Sequence, residues 1–334
     1  MIMGCRNILC LGTKLLPPTC SRSMSALTKV EIKERKNQLF NEEKKRQQDA
    51  VGRLEKIEVK YSTALEEVTL VMNKNVSTPH HCARHISEGT ANVSALASVD
   101  GHLWDMHRPL ISDCELQLLH LKSPENVAVN YAFWRTCSLM LGSMASDAFK
   151  DDVDVHLHSF PKPNVKSGSF VCDVYLSLPE WQPTDAELRA MSAEFVKLVQ
   201  AELPVERLEV TESLALEIFQ DNPFKVKQIP DIAEHYKTIT LYRIGDHIDI
   251  SRGPMVGNTN LVGRATVTAV HKIQSDDVEC LYRFQGVALP HGIRLNHYAY
   301  KILEDRAKKL NSSMWVPQKL GEESNDRVAI AVKN

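Results

Sequence analysis

Apolar and polar positions alternate, cluster and disperse along this chain in ways that predict most of its elements. Residues 29–56 are rich in helix formers and lack proline, but their main apolar anchors are Leu39 and Phe40. The expected helix has too little apolar surface for an ordinary core-facing stripe. It reads as a solvated helix packing lightly on a partner. "KIEVKY" and "EVTLVMN" (56–61, 67–73) have strand character, and "TPHHCARHISEG" (78–89) reads as a capped helix ending at Gly89. "SALASVDGHLWDM" predicts a hairpin turning at Asp100-Gly101, and "CELQLLHL" a closing strand. Strand, strand, helix and further strands is a ubiquitin-like order. From about residue 125 the pattern changes. A long apolar helix (126–150) precedes a strand at 168–178. A second helix follows at 184–203, with a capping box at Thr184 and Glu187 and a buried stripe of Leu188, Met191, Phe195, Leu198 and Val199. A shorter helix is expected at 213–220. Two strands surround Gly245-Asp246, two more cover 263–273 and 280–289, and a last helix covers 296–310. The expected fold class is therefore α+β in two modules.

"HIDISRGPMV" (247–256) carries chemistry-bearing residues at alternating positions. In a strand His247, Asp249 and Ser251 share one face, with Ile248 and Ile250 on the core face. At roughly 3.3 Å per residue, His247 and Ser251 stand about 13 Å apart, and the carboxylate lies between them. A nucleophilic triad needs the base beside the nucleophile and the carboxylate behind the base. These three residues therefore do not form a triad together. His80, His81, Cys82 and His85 invite a metal reading, since His81 and His85 are four apart. Four ligands are needed for a structural zinc, and no second cluster lies nearby in sequence, so helix residues are the default and no metal is expected.

Charge and composition narrow the picture. Of 334 residues, 43% are hydrophobic and 25% charged, an ordinary globular balance. The net charge of −2 excludes a uniformly cationic surface, but the first sixty residues hold thirteen Lys and Arg against seven Asp and Glu. An anionic partner should meet that part first. Lys33, Arg35, Lys36, Lys44, Lys45 and Arg46 are the candidate phosphate contacts, diluted by Glu31, Glu34, Glu42 and Glu43. The thirty residues before Glu31 contain no acid and carry Arg6, Lys14, Arg22 and Lys29 among hydroxyls, the composition of a mitochondrial transit peptide. A secretory signal competes through Ile8-Leu9-Cys10-Leu11, but Lys14 and Pro17-Pro18 interrupt it. The eight cysteines are Cys5, Cys10, Cys20, Cys82, Cys114, Cys137, Cys172 and Cys280; none forms a CxxC. A disulfide framework is not expected. No apolar run approaches the roughly 18 residues that span a bilayer.

Four strings resemble the N-terminal half of threonyl-tRNA synthetases, where a ubiquitin-like TGS (β-grasp) module precedes a threonyl/alanyl-type editing domain that removes misattached serine from tRNA. They are "WRTCSLMLG" (134–142), "GSFVCDVYL" (168–176), "HIDISRGPMV" and "YRFQGVAL" (282–289). Editing domains of this type use a His-x-x-x-His pair on the first helix and a Cys-x-x-x-His pair after the strand. The corresponding positions here are Arg135, Leu139, Ser251 and Met255, while Gly142, Arg252, Gly253 and Pro254 remain. Leucine and methionine shuttle no proton, arginine is no base, and Ser251 has no base in the motif to activate it. The fold is expected to be kept and the chemistry lost. Substitutes in the same region, His247, Asp249, His271 or Cys137, would be needed for an enzyme.

"MNKNVSTP" (72–79), "LALEIFQ" (214–220), "RIGDHIDISRGP" (243–254) and "RFQGVALP" (283–290) resemble the family of the thirty-ninth protein of the mitochondrial large ribosomal subunit. That resemblance implies a non-enzymatic ribosomal protein of the mitochondrial matrix. Its partners would be large-subunit rRNA and neighbouring mitochondrial ribosomal proteins, with no cofactor, no small-molecule substrate and no membrane span. The expected organisation is a transit peptide at 1–25, a charged helix at 28–55, a TGS-like module at 56–124, a degenerate editing-like domain at 125–310 and a flexible tail at 311–334. The chain ends about where an editing module would, so no aminoacylation core is expected. A free-standing tRNA deacylase or a matrix tRNA-binding factor is the alternative.

Overall fold

The computed structural model describes residues 28–62, 67–122, 127–275 and 278–313. The expected transit peptide lies outside them. Helix α1 (Lys29–Asp49) starts at a reciprocal cap. The Thr28 hydroxyl accepts from the Glu31 amide, and the Glu31 carboxylate accepts from the Thr28 amide at 2.8 Å. It ends well short of 55, where the chain reverses through Gly52 at φ +65°.

The next strands form one five-stranded sheet. β1 (Lys56–Ser62) and β2 (Glu67–Asn73) are a hairpin pair. Two short helices follow, α2 (Pro79–Ile86) and α3 (Glu88–Val93). β3 (Ser94–Val99), β4 (His102–Trp104) and β5 (Cys114–His120) complete the sheet in the order β2-β1-β5-β3-β4. β5 inserts beside β1 in parallel and beside β3 antiparallel, the β-grasp arrangement. Asp100 (φ 51°) and Gly101 (φ 79°) form the tight hairpin turn that their sequence predicts. The single helix expected to reach Gly89 is two helices. Ser87 is extended (φ −165°), and its hydroxyl caps a new helix by accepting from the Thr90 amide at 2.9 Å. A hydroxyl that bonds nearby backbone competes with helix continuation, so Gly89 lies inside α3.

The remaining chain builds around α4 (Val127–Asp147), buried at every position from Thr136 to Ala145. On one side lies a four-stranded sheet, β11-β12-β7-β6, made of β6 (Val155–Ser159), β7 (Phe170–Leu176), β11 (Val262–Ile273) and β12 (Leu281–Pro290). A second sheet, β10-β9-β8, combines β8 (Val205–Val210), β9 (Ile239–Ile244) and β10 (His247–Ile250). α5 (Asp185–Gln200) carries the expected capping box and buries Met191 and Phe195. α6 (Glu212–Ile218) and α7 (Pro223–His235) flank the three-stranded sheet, and α8 (His297–Ala307) closes the chain on β12. The five cysteines Cys82, Cys114, Cys137, Cys172 and Cys280 are free and buried.

Three features depart from the sequence reading. α1 does not pack lightly: Phe40 is fully buried with Leu208, Leu241 and Ile248 in the core of the β10-β9-β8 sheet. β10 is buried on both faces, because α1 covers its isoleucine face while His247 and Asp249 point into the interior. Asn311, expected at the start of a flexible tail, is buried. Its amide donates to Gln285 Oε1 at 2.8 Å, and its side chain donates to Ser167 Oγ at 2.8 Å and to the Ser169 carbonyl at 3.0 Å. Residues 314–334 lie outside the described part.

Candidate functional site

Helix α4 and the turn after β10 meet, bringing Arg135, Leu139, Ser251 and Met255, the positions the resemblance implies, to one region. Burial decides what they do there. Leu139 is fully buried and Met255 is 1% exposed, both in the core that α4 shares with the four-stranded sheet. Ser251, 9% exposed, is turned into its own loop, where its hydroxyl accepts from the Gly253 amide at 3.3 Å. Arg135 reaches across and donates from Nη1 to the Pro254 carbonyl at 2.8 Å. A guanidinium fixed on the turn carbonyl and two apolar side chains occupy the positions where a water or an ester would need proton-handling groups.

The backbone of this turn is also committed. The Val256 amide donates to Thr136 Oγ1 at 3.0 Å, and that hydroxyl donates onward to the Ala132 carbonyl at 2.9 Å. The Met255 amide donates to Asp105 Oδ1 at 2.9 Å, and the Tyr242 hydroxyl donates to the same oxygen at 2.9 Å. Asp105 belongs to the β-grasp module, just after β4. Arg207 stands 3.4 Å from its other oxygen. Burial raises the Tyr242 phenol well above its usual range, with the Asp105 charge adding to the effect. The phenol therefore stays protonated and serves as donor. Further along, the Gly257 amide donates to the Ala95 carbonyl at 3.1 Å, and His107 Nε2 lies 2.9 Å from the Gly257 carbonyl. Amides that could have formed an anion-binding cradle are satisfied within the protein. Gly253 is needed here: at φ +73°, an added Cβ would sit 1.8 Å from the Tyr242 hydroxyl. The turn is thus a joint between the two modules.

The possible substitute residues do not assemble a second centre. His247 is buried, and desolvation lowers its pKa to about 4, so it is neutral; its Nε2 has no hydrogen-bond partner among the described residues. Asp249 is bound by Lys225 of α7 at 2.6 Å, each side chain 3% exposed. Cys137 is fully buried, and desolvation raises its thiol well above the ordinary range, the reverse of a reactive cysteine. His271 Nε2 lies 3.0 Å from the Lys308 carbonyl near the end of α8. Cys82 is packed in the β-grasp core, while the His80 ring lies tilted 4.9 Å from that of His107 and is shifted by burial to about 4. Among the described residues no group of three or more His, Cys, Asp or Glu could hold a metal ion.

The candidate phosphate contacts on α1 are mostly engaged. Lys33 pairs with Asp147 at 2.6 Å and Asp246 at 3.2 Å, Arg35 and Lys36 both hold Asp221 at 2.8 Å, and Lys44 pairs with Glu206. Arg46 pairs with Glu43 of its own helix at 2.7 Å but is itself exposed, as is Lys45. The sequence reading could not see this: the carboxylates on the protein body are 114 to 213 positions away in sequence from their Lys33, Arg35 and Lys36 partners. It also missed Asp105, Thr136, Tyr242 and His107. Each is an unremarkable polar residue in its local string, and only the docking of the two modules gives it a role.

A TGS domain model matches residues 68–120. The chain is 53% identical over 278 residues to the large ribosomal subunit protein mL39 of Drosophila melanogaster, covering 82% of this chain and 84% of that protein. It is 31% identical to the mitochondrial threonine–tRNA ligase 1 of Arabidopsis thaliana, over 70% of this chain and 32% of the ligase. Similarity to the human cytoplasmic threonine–tRNA ligase 1 is 30%, over 67% of this chain and 30% of the ligase. The chain thus spans about a third of the length of the ligases it matches.

Proposed function

The chain belongs to the family of the large ribosomal subunit protein mL39, and on that premise we propose that it is a non-catalytic structural constituent of the mitochondrial large ribosomal subunit. In this reading it contacts rRNA and neighbouring ribosomal proteins and supports translation in the mitochondrial matrix. The observation that carries the non-catalytic part is the occupancy of the α4–turn region: buried Leu139 and Met255, with Arg135 on the Pro254 carbonyl. A deacylase needs a base within hydrogen-bond reach of its nucleophile, and these residues supply none. The acid-free, Arg- and Lys-bearing leader supports a mitochondrial destination. For rRNA, exposed Lys45 and Arg46 are the α1 cations best placed to meet phosphates, since Lys33, Arg35, Lys36 and Lys44 are held by carboxylates of the protein body and Lys29 by the Phe149 and Lys150 carbonyls.

The test has two arms. Purified protein incubated with seryl-tRNA for threonine should release serine no faster than buffer does. In mitochondrial extracts the protein should sediment with large ribosomal particles and leave them only at high salt, as phosphate-linked contacts do. Serine release that disappears in a variant of the turn would sink the reading. A wholly ribosome-free distribution would do the same.

A further inference from the structure

α8 leaves uncovered what the rest of the molecule hides. Tyr298, 82% exposed, and Ile302, 69% exposed, are the two most exposed large apolar side chains among the described residues. They are four apart on one helix and so share a face. Ile293 and Leu295, 37% and 41% exposed, lie in the loop just before the helix. The opposite face of α8 is ordinary core: Tyr300 and Ala307 are fully buried against β12. The helix is therefore anchored and cannot turn its apolar residues inward. Every residue from His291 to Tyr298 is exposed, yet the segment is held by an Asn296 cap that accepts from the Ala299 amide at 2.8 Å. A stretch this apolar on a fixed surface marks an interaction site.

The charge around it selects the partner. From Cys280 to Leu303 the chain contains no Asp or Glu, and within the exposed part it carries His291, Arg294, His297 and Lys301. The nearest acid on the outer face, Asp305, is shared between Lys301 at 3.5 Å and Lys308 at 3.2 Å. Two classes of partner suit cations: RNA and an acidic protein surface. Aliphatic side chains decide between them. Phosphates reward only the cations, whereas Ile293, Leu295 and Ile302 gain from leaving water only against an apolar surface. Tyrosine and arginine beside aliphatic anchors are the composition of protein–protein hot spots. We propose that the 291–302 face is a protein-docking surface whose anchors, Tyr298 and Ile302, enter an apolar groove rimmed by Asp or Glu on a neighbouring ribosomal protein, in the helix-in-groove mode.

This deepens the ribosomal reading and rests on it, so the test separates the two. The full chain, carrying a photoreactive phenylalanine analogue in place of Tyr298, is expressed in cells depleted of their own copy. Assembled large subunits are isolated by sedimentation, irradiated, and the adduct at position 298 is sequenced. Sedimentation of the chain with the particle tests the ribosomal reading by itself. The docking proposal expects an adduct to an apolar peptide of another subunit protein, with Asp or Glu flanking the site. A Tyr298→Ser/Ile302→Ser variant should fold like the parent, since both side chains are solvent-facing, and its particle occupancy should fall at least fivefold. An adduct to rRNA overturns the proposal, as does an adduct to residues 314–334 of the same chain or to a peptide without acids. So does the absence of any adduct in particles that contain the protein. Unchanged occupancy of the double-serine variant also overturns it.

Discussion

At the scale of single residues, the interior of this protein holds charge where a strand would usually hold hydrocarbon. Lys225 and Asp249 pair at 2.6 Å with almost no exposure, and Arg283 grips Asp173 through two bonds of 2.7 and 2.8 Å. Such pairs add little net stability against an apolar replacement, but removing one partner strands the other charge. Lys225→Met should therefore destabilise the protein by about 3–5 kcal/mol in denaturant unfolding, and Lys225→Met/Asp249→Leu should recover most of that loss. Equal loss in the single and double variants would show that the pair is not the unit. Beside it, His247 is neutral because burial lowers its pKa from 6.5 to about 4. The unfolded chain then binds a proton that the folded chain refuses. The contribution is whole above pH 6.5 and is lost progressively as pH falls towards 4, by on the order of 3 kcal/mol. Stability measured from pH 7 to 4 should fall less steeply in His247→Gln than in the parent. Parallel curves would place the pH sensitivity elsewhere, for instance at His80, which is shifted to a similar value.

At the scale of elements, what was legible in the sequence was local. The Thr184–Glu187 box fixed the start of α5, and Asp100-Gly101 fixed the β3–β4 turn, because each signal lies within four residues of the geometry it dictates. β6, β8 and α7 are less legible in this way. β8 reads "VERLEV", whose Glu206 and Arg207 serve ion pairs with Lys44, Arg243 and Asp105 instead of a solvent face. α7 carries Pro230 in its interior, which argues against a helix by propensity. α1 is legible as a helix, but its packing role is not, for a related reason. One phenylalanine and a row of cations look solvated until the acids Asp147, Asp221, Glu206 and Asp246 are brought alongside them. Arg243 then lies 4.2 Å over the Phe40 ring and completes the anchorage. The candidate site follows the same pattern. That Arg135, Leu139, Ser251 and Met255 stand at the four motif positions stays an expectation from the resemblance, but the use of the turn as a joint is not readable in sequence, since its partners come from the other module.

At the scale of the whole molecule, the joint ties the two modules together through both apolar and polar contacts. The β-grasp sheet contributes Ala95, Leu96 and Leu119 to the main core of the second module, so β3 is buried at all six positions. Asp105 adds the polar half of the contact by accepting from both the Met255 amide and the Tyr242 hydroxyl beside Arg207. Apolar contact resists separation but tolerates sliding, while a carboxylate with two buried bonds of 2.9 Å fixes register. Asp105→Ala should leave an amide and a phenol without their acceptor, at about 1–3 kcal/mol for each, while Arg207 keeps Glu209 at 2.8 Å. Hydrogen exchange would read this out. In the parent, the slowest amides of β5 and β9 should open together, as parts of one cooperative unit. In Asp105→Ala, the Met255 amide should lose protection at least tenfold, and the opening free energies of the two strands should separate by about 1–2 kcal/mol. If both strands weaken in step, the apolar contact alone couples the modules, and the register-fixing role assigned to Asp105 fails. A joint that fixes register suits a structural subunit, whose surfaces must keep one relation to each other.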